Sequence, residues 1–104
     1  MDIDIHENDG TAIVIIGEKA LDLATADEFV LQVIPLVVRV PRVVIDLAGG
    51  TFIDSSGIGA LAYLVRRLRE RGGQLGLCGI NDRIADTVAL ANLDQIADIY
   101  ATAG

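Results

Sequence analysis

Polar and apolar residues alternate over Asp2-Ile3-Asp4-Ile5-His6, the period of a half-buried strand. Glu7-Asn8-Asp9-Gly10 follows, and Asp-Gly is a strong hairpin signal. The β-branched run Thr11 to Ile16 predicts a central strand, antiparallel to the first. Next, Thr25-Ala26-Asp27-Glu28 has the form of a capping box, with Thr25 accepting from the third helical amide and Glu28 reaching back. Behind it, Phe29, Val30, Val33, Ile34 and Val37 recur at helical spacing. Pro35 removes a backbone donor inside this helix, so a kink or an early end is expected there. Pro41 marks the boundary before the next strand.

Val43-Val44-Ile45-Asp46-Leu47 reads as a buried strand. Ala48 to Asp54 connect it to a second helix that starts at Ser55. That helix has Ile58, Leu61, Val65 and Leu68 on one side and Arg66, Arg67 and Glu70 on the other. Gly72-Gly73 stops it. Leu75 to Cys78 predicts another strand, and Asp82 is expected to cap a third helix running to about Ala91. Asn92 can take the left-handed conformation that ends it. Ile96 to Tyr100 fits an edge strand or a short helix equally well. The alternation predicts a single α/β domain spanning residues 1–104. A mixed central sheet of four to five strands is expected, with an N-terminal hairpin and helices packed on it through parallel crossovers.

A chain of 104 residues fits one core, and 52% of it is hydrophobic. That share is high for so small a domain, so some of it is expected on a surface that meets a partner or, weakly, a second copy. The net charge is −7. Before Arg39 the only base is Lys19, against eight acidic residues, and no base follows Arg83. This distribution argues against nucleic acid, whose phosphates need clustered Lys and Arg. The one basic cluster, Arg66, Arg67, Arg69 and Arg71, reads as the solvated face of a helix. Cys78 is the sole cysteine, which rules out an intrachain disulfide and a thiolate metal cluster; it is expected to be a buried, inert thiol in a strand. The acidic Met-Asp-Ile-Asp start is unlike a secretory signal. Phe29 to Ile45 is interrupted by Pro35, Arg39, Pro41 and Arg42, whereas a membrane span needs ~20 mostly apolar residues. A cytoplasmic protein without a membrane segment is expected.

The chemistry concentrates in Asp54-Ser55-Ser56-Gly57-Ile58-Gly59, between a strand and an apolar helix. A serine there meets unpaired helix amides and a partial positive charge, where a phosphate is tolerated. Gly57 and Gly59 would clear side chains from around the hydroxyls, so that another protein's active site could approach. A plainer role is open to Ser55, since serine is among the best helix caps. Gly57-Ile58-Gly59 lacks the third glycine of a dinucleotide fingerprint and the lysine of a P-loop, so no cofactor is expected. Asp46 and Asp54 flank the connection as a carboxylate pair, but no His lies near them in sequence, which leaves an acid/base or metal site unsupported. Asp54 is expected to shape the loop, cap the helix or contact a partner. Ser56 could serve as a minor phosphosite but is rather expected to bond a local backbone group, and Thr51 likewise. His6, the only histidine, falls on the first strand as a surface or half-buried residue. No catalytic triad can be drawn from it, and no enzyme activity is expected.

The run Phe52-Ile53-Asp54-Ser55-Ser56-Gly57-Ile58-Gly59-Ala60-Leu61 after a strand ending Asp46-Leu47 resembles the signature of the STAS domain family (sulfate transporter and anti-sigma factor antagonist). Gly17-Glu18 with Leu21-Asp22-Leu23-Ala24-Thr25-Ala26 is similar to the family's segment leading into its first helix. Arg71-Gly72-Gly73-Gln74-Leu75 is similar to its turn into the next strand. Lys19-Ala20 lengthens the first of these segments relative to the family pattern, and Asn92 stands where many relatives have Gly. For a free-standing member the resemblance implies an anti-sigma factor antagonist. Unmodified, it would bind an anti-sigma factor that is also a serine kinase and so release a sigma factor. Phosphorylation of Ser55 would switch it off, and a serine phosphatase would reset it. Asp22, Thr25, Asp54, Ser55, Ser56, Gly57, Ile58 and Gly59 would form the partner-binding surface. The resemblance also admits a soluble STAS subunit of a lipid-exporting ABC transport system, or a scaffold in a stress-sensing complex.

Overall fold

The computed structural model describes residues 1–50 and 52–100. Strands β1 (Ile3–Asn8) and β2 (Thr11–Ile16) form the expected hairpin, in register from Ile3 opposite Ile16 to Asn8 opposite Thr11. Asp9 and Gly10 both have positive φ, 50° and 81°, so the turn twists in the sense its flanking strands require. Strands β4 (Arg42–Asp46), β6 (Gln74–Cys78) and β7 (Asp98–Tyr100) complete a five-stranded sheet in the order β1-β2-β4-β6-β7. Every pair after the hairpin is parallel. The segment left open in the sequence thus resolves into a 3-10 turn at Leu93–Gln95 followed by edge strand β7.

Between the strands run α1 (Ala26–Val37), α2 (Ser55–Glu70) and α3 (Asp82–Leu90). Ala12, Val14 and Ile16 alternate inward from β2, as do Val43 and Ile45 from β4 and Leu75 and Leu77 from β6. They meet Phe29 and Val33 of α1 and Leu61, Leu64, Val65 and Leu68 of α2. Each such side chain contributes about 1.5–3 kcal/mol when taken out of water, so this layer sets where both helices lie.

Local signals and structure differ at three helix ends. Thr25 precedes α1, yet its side chain caps no helical amide. Its Oγ1 instead accepts from the Asp22 amide at 3.0 Å and donates to the Ala20 carbonyl at 3.1 Å. Glu28 pairs with the amino group of Met1, so the capping box is replaced by longer-range contacts. Pro35 lies inside α1, which runs on to Val37; the lost N–H falls in the last turn, where little helix remains to disrupt. At α3, Asn81 is the cap, accepting from the Ile84 amide at 2.8 Å, and Asp82 is the first helical residue. Asn92 takes the left-handed conformation as expected, with φ 56°.

Two short strands were not foreseen. β3 (Ala20–Leu21) and β5 (Phe52–Ile53) pair in parallel, with Ala20 opposite Phe52 and Leu21 opposite Ile53. Lys19 and Ala20 lead into and begin that pair. It brings the entry to α1 beside the entry to α2.

Candidate functional site

Asp54 organises the start of α2. Its backbone is extended (φ −109°, ψ −172°), and one carboxylate oxygen accepts from the amides of Ser56 at 2.8 Å and Gly57 at 3.0 Å. The other accepts from the Leu23 amide at 3.2 Å. One side chain therefore caps the helix and ties down the neighbouring loop. That loop closes on itself: Asp22 accepts from the Ala24 amide at 3.0 Å through its side chain and from the Ala26 amide at 2.8 Å through its carbonyl. Asp22, between Leu21 and Leu23, is thereby set next to Asp54, and Thr25 is bonded to Asp22.

With Asp54 as cap, Ser55 is released from that duty. It is the first helical residue, exposed, and its hydroxyl makes no hydrogen bond among the described residues. The amides of Ser56 and Gly57 are not unpaired, contrary to expectation, because the Asp54 carboxylate holds them. The Ser56 hydroxyl, expected to bond nearby backbone, makes no hydrogen bond among the described residues; the residue is half-buried. Ile58 is also half-buried. Thr51 lies outside the described residues.

The two glycines differ. Gly57 is buried, and a Cβ there would stand 2.2 Å from the Leu21 carbonyl oxygen and 2.7 Å from Cγ1 of Ile53. Its bareness serves close packing of α2 on β3 and β5, and it opens no approach to the hydroxyls. At Gly59, which is exposed, a Cβ would meet nothing within 4 Å. Only Gly59 leaves the outer face open. Glycine inside a helix costs about 0.5–1 kcal/mol relative to alanine, and neither crowding nor a positive φ requires it at this position.

Beside the serines lies a feature the sequence did not reveal. A groove of about 640 Å³ runs between α1 and α2, with Ala26, Asp27, Val30 and Leu31 on one wall and Ser56, Gly59, Ala60 and Tyr63 on the other. Leu23 stands at its end. Leu23 is 80% exposed and Leu31 74% exposed. Leu31 falls outside the apolar repeat of α1, and that was the available signal; that it faces α2 across a gap could not be read from one helix.

Other candidates take structural roles. Asp46 accepts from the Ala48 amide at 2.9 Å. His6 is exposed, 3.0 Å from the Asp4 carboxylate. Cys78 is buried, and burial, with a smaller contribution from Asp46, pushes its thiol above the usual range, against thiolate chemistry at neutral pH. Arg67 donates to the Tyr63 hydroxyl at 2.9 Å, and Arg71 donates to the carbonyls of Val37 and Val40. Among the described residues no helix is long and apolar enough to cross a membrane.

The fold and this helix start define a class, and comparison with known proteins agrees. The STAS domain model matches residues 2–104, and the chain belongs to that family. It is 26% identical over 102 residues to the anti-sigma F factor antagonist of Paenibacillus polymyxa, covering 96% of this chain and 86% of the relative. The structure of an anti-sigma factor antagonist from Mycobacterium paratuberculosis superposes with a TM-score of 0.86 at 24% identity, covering 98% of this chain and 86% of that one. The Bacillus cell fate determinant SpoIIAA in its phosphorylated form superposes with a TM-score of 0.74 at 14% identity, covering 96% and 92%. At these identities the two structures establish a shared fold.

Proposed function

We propose that this chain is a cytoplasmic anti-sigma factor antagonist switched by phosphorylation at Ser55. Unmodified, it binds an anti-sigma factor that is also a serine kinase and thereby frees a sigma factor. The observation that carries this reading is the Ser55 hydroxyl, exposed and unbonded among the described residues at the first position of α2. The name of the Paenibacillus relative supports the assignment, as does the existence of SpoIIAA in a phosphorylated form.

The switching step needs no catalytic group from this chain. In the partner's active site Oγ of Ser55 bonds to the γ-phosphorus of ATP as the bond to the bridging β–γ oxygen breaks. ADP leaves, and the hydroxyl proton passes to a base of the kinase. A serine phosphatase reverses the modification with water, returning serine and inorganic phosphate.

Phosphorylation brings about −1.5 to −2 charges to a chain already at −7. The new dianion shares the helix N-terminus with Asp54, whose carboxylate already holds two of its amides. The residual positive end of the helix therefore offsets only part of the charge. The remainder is tolerated in water and opposed by an apolar or acidic partner surface. A loss of ~3 kcal/mol weakens binding more than a hundredfold. Binding to the cognate kinase is expected to persist in Ser55→Ala and to collapse in Ser55→Asp, and wild type incubated with kinase and ATP should gain one phosphate by intact mass. Equal binding by the two variants would falsify the switch.

A further inference from the structure

We infer that the groove between α1 and α2 receives a large aliphatic or aromatic side chain of the anti-sigma factor, flanked on that partner by Lys or Arg. This rests on the functional reading above and extends it from the modified hydroxyl to the surface that chooses the partner.

Three observations converge. First, the groove walls are mainly apolar, and its rim carries Leu23 and Leu31, two of the most exposed large apolar side chains among the described residues. Side chains of this size left in water beside a concave surface mark a place where something docks. Second, the α2 wall is left bare at Gly59. Alanine would favour the helix, a Cβ would clash with nothing, and φ is not positive, so nothing inside the chain demands glycine there. An incoming side chain does. Gly57, two residues earlier, provides the contrast, since its own backbone neighbours require its bareness.

Third, the charges select the flanks. Among the described residues Asp27 is the only charged one lining the groove, and no Lys or Arg lines it. Asp22 and Asp54 stand in the adjoining turn, joined through Leu23, whose amide the Asp54 carboxylate holds. An acidic rim around an apolar slot fits an apolar anchor with cationic neighbours and repels an acidic one. Ser56 lines the same groove and Ser55 precedes it, so a phosphate on Ser55 would arrive at the edge of the seated anchor.

The test is isothermal titration of the full chain and its variants with the anti-sigma factor that binds wild type. Gly59→Leu projects a side chain of a good helix former from the α2 wall into the groove and should lower affinity about tenfold or more while the melting temperature holds or rises. Leu31→Ser, at an exposed position, should lower affinity about fivefold with an unchanged melt. Asp27→Lys should weaken binding and flatten its salt dependence. Leu90→Ser, at a still more exposed position on α3, should bind as wild type does. Wild-type affinity in both Gly59→Leu and Leu31→Ser would overturn the groove assignment and leave the functional reading standing. Absence of binding by wild type to any anti-sigma factor would overturn that reading, and this inference with it.

Discussion

The first turns of α2 hold Ser55, Ser56, Gly57 and Gly59, all poorer helix formers than alanine, whereas its second half buries Leu64, Val65 and Leu68 and lines its outer face with arginines. The second half supports itself through the core, and Arg71 reaches across to the carbonyls of Val37 and Val40 at the end of α1. The first half is built from weaker helix formers and, beside the buried Ala60 and Leu61, relies on the Asp54 carboxylate and on close packing against Leu21. One helix thus has an end fixed by core packing and an end that relies on neighbouring segments as well. The difference teaches that a run of poor helix formers keeps its helical shape only where the rest of the fold supplies the missing support.

Substitutions that break or sharpen this contrast rank by size. Gly57→Ala should be the most damaging, by about 3 kcal/mol, because its Cβ meets a backbone oxygen rather than a side chain that can turn aside. Urea unfolding would show it, and near wild-type stability would mean that α2 can lift off β3 freely. Asp54→Ala should cost about 1–2 kcal/mol for the cap, with faster amide exchange at Ser56, Gly57 and Leu23 as its local signature. Arg71→Ala should cost about 1 kcal/mol, with exchange at the start of α2 unaffected. Gly59→Ala should stabilise by about 0.5–1 kcal/mol; a loss instead would mean that the position packs against something. Ser55→Ala should change stability by less than about 0.5 kcal/mol, as an exposed, unbonded hydroxyl requires.

Much of this was legible along the chain. Asp9-Gly10 between an alternating run and a β-branched run specified the hairpin, because both turn residues accept positive φ at low cost. Helical spacing placed α1 and α2, and the Asp54-Ser55-Ser56-Gly57 run singled out the helix start. Cap assignments fared worse. Thr25 and Asp82 each suited a cap by type, yet Thr25 was drawn to Ala20 and Asp22, and Asn81 took the place at α3.

Strand periodicity, turn chemistry and helix periodicity depend on neighbours a few residues apart, so the sequence by itself determined the hairpin, strands β4 and β6, the three helices and the segment that carries Ser55. The parallel pairing of Ala20–Leu21 with Phe52–Ile53, the difference between Gly57 and Gly59, and the groove facing Leu31 were decided by tertiary structure alone. Each depends on two segments about thirty residues apart, whose approach is fixed by the shared core and not by any local preference.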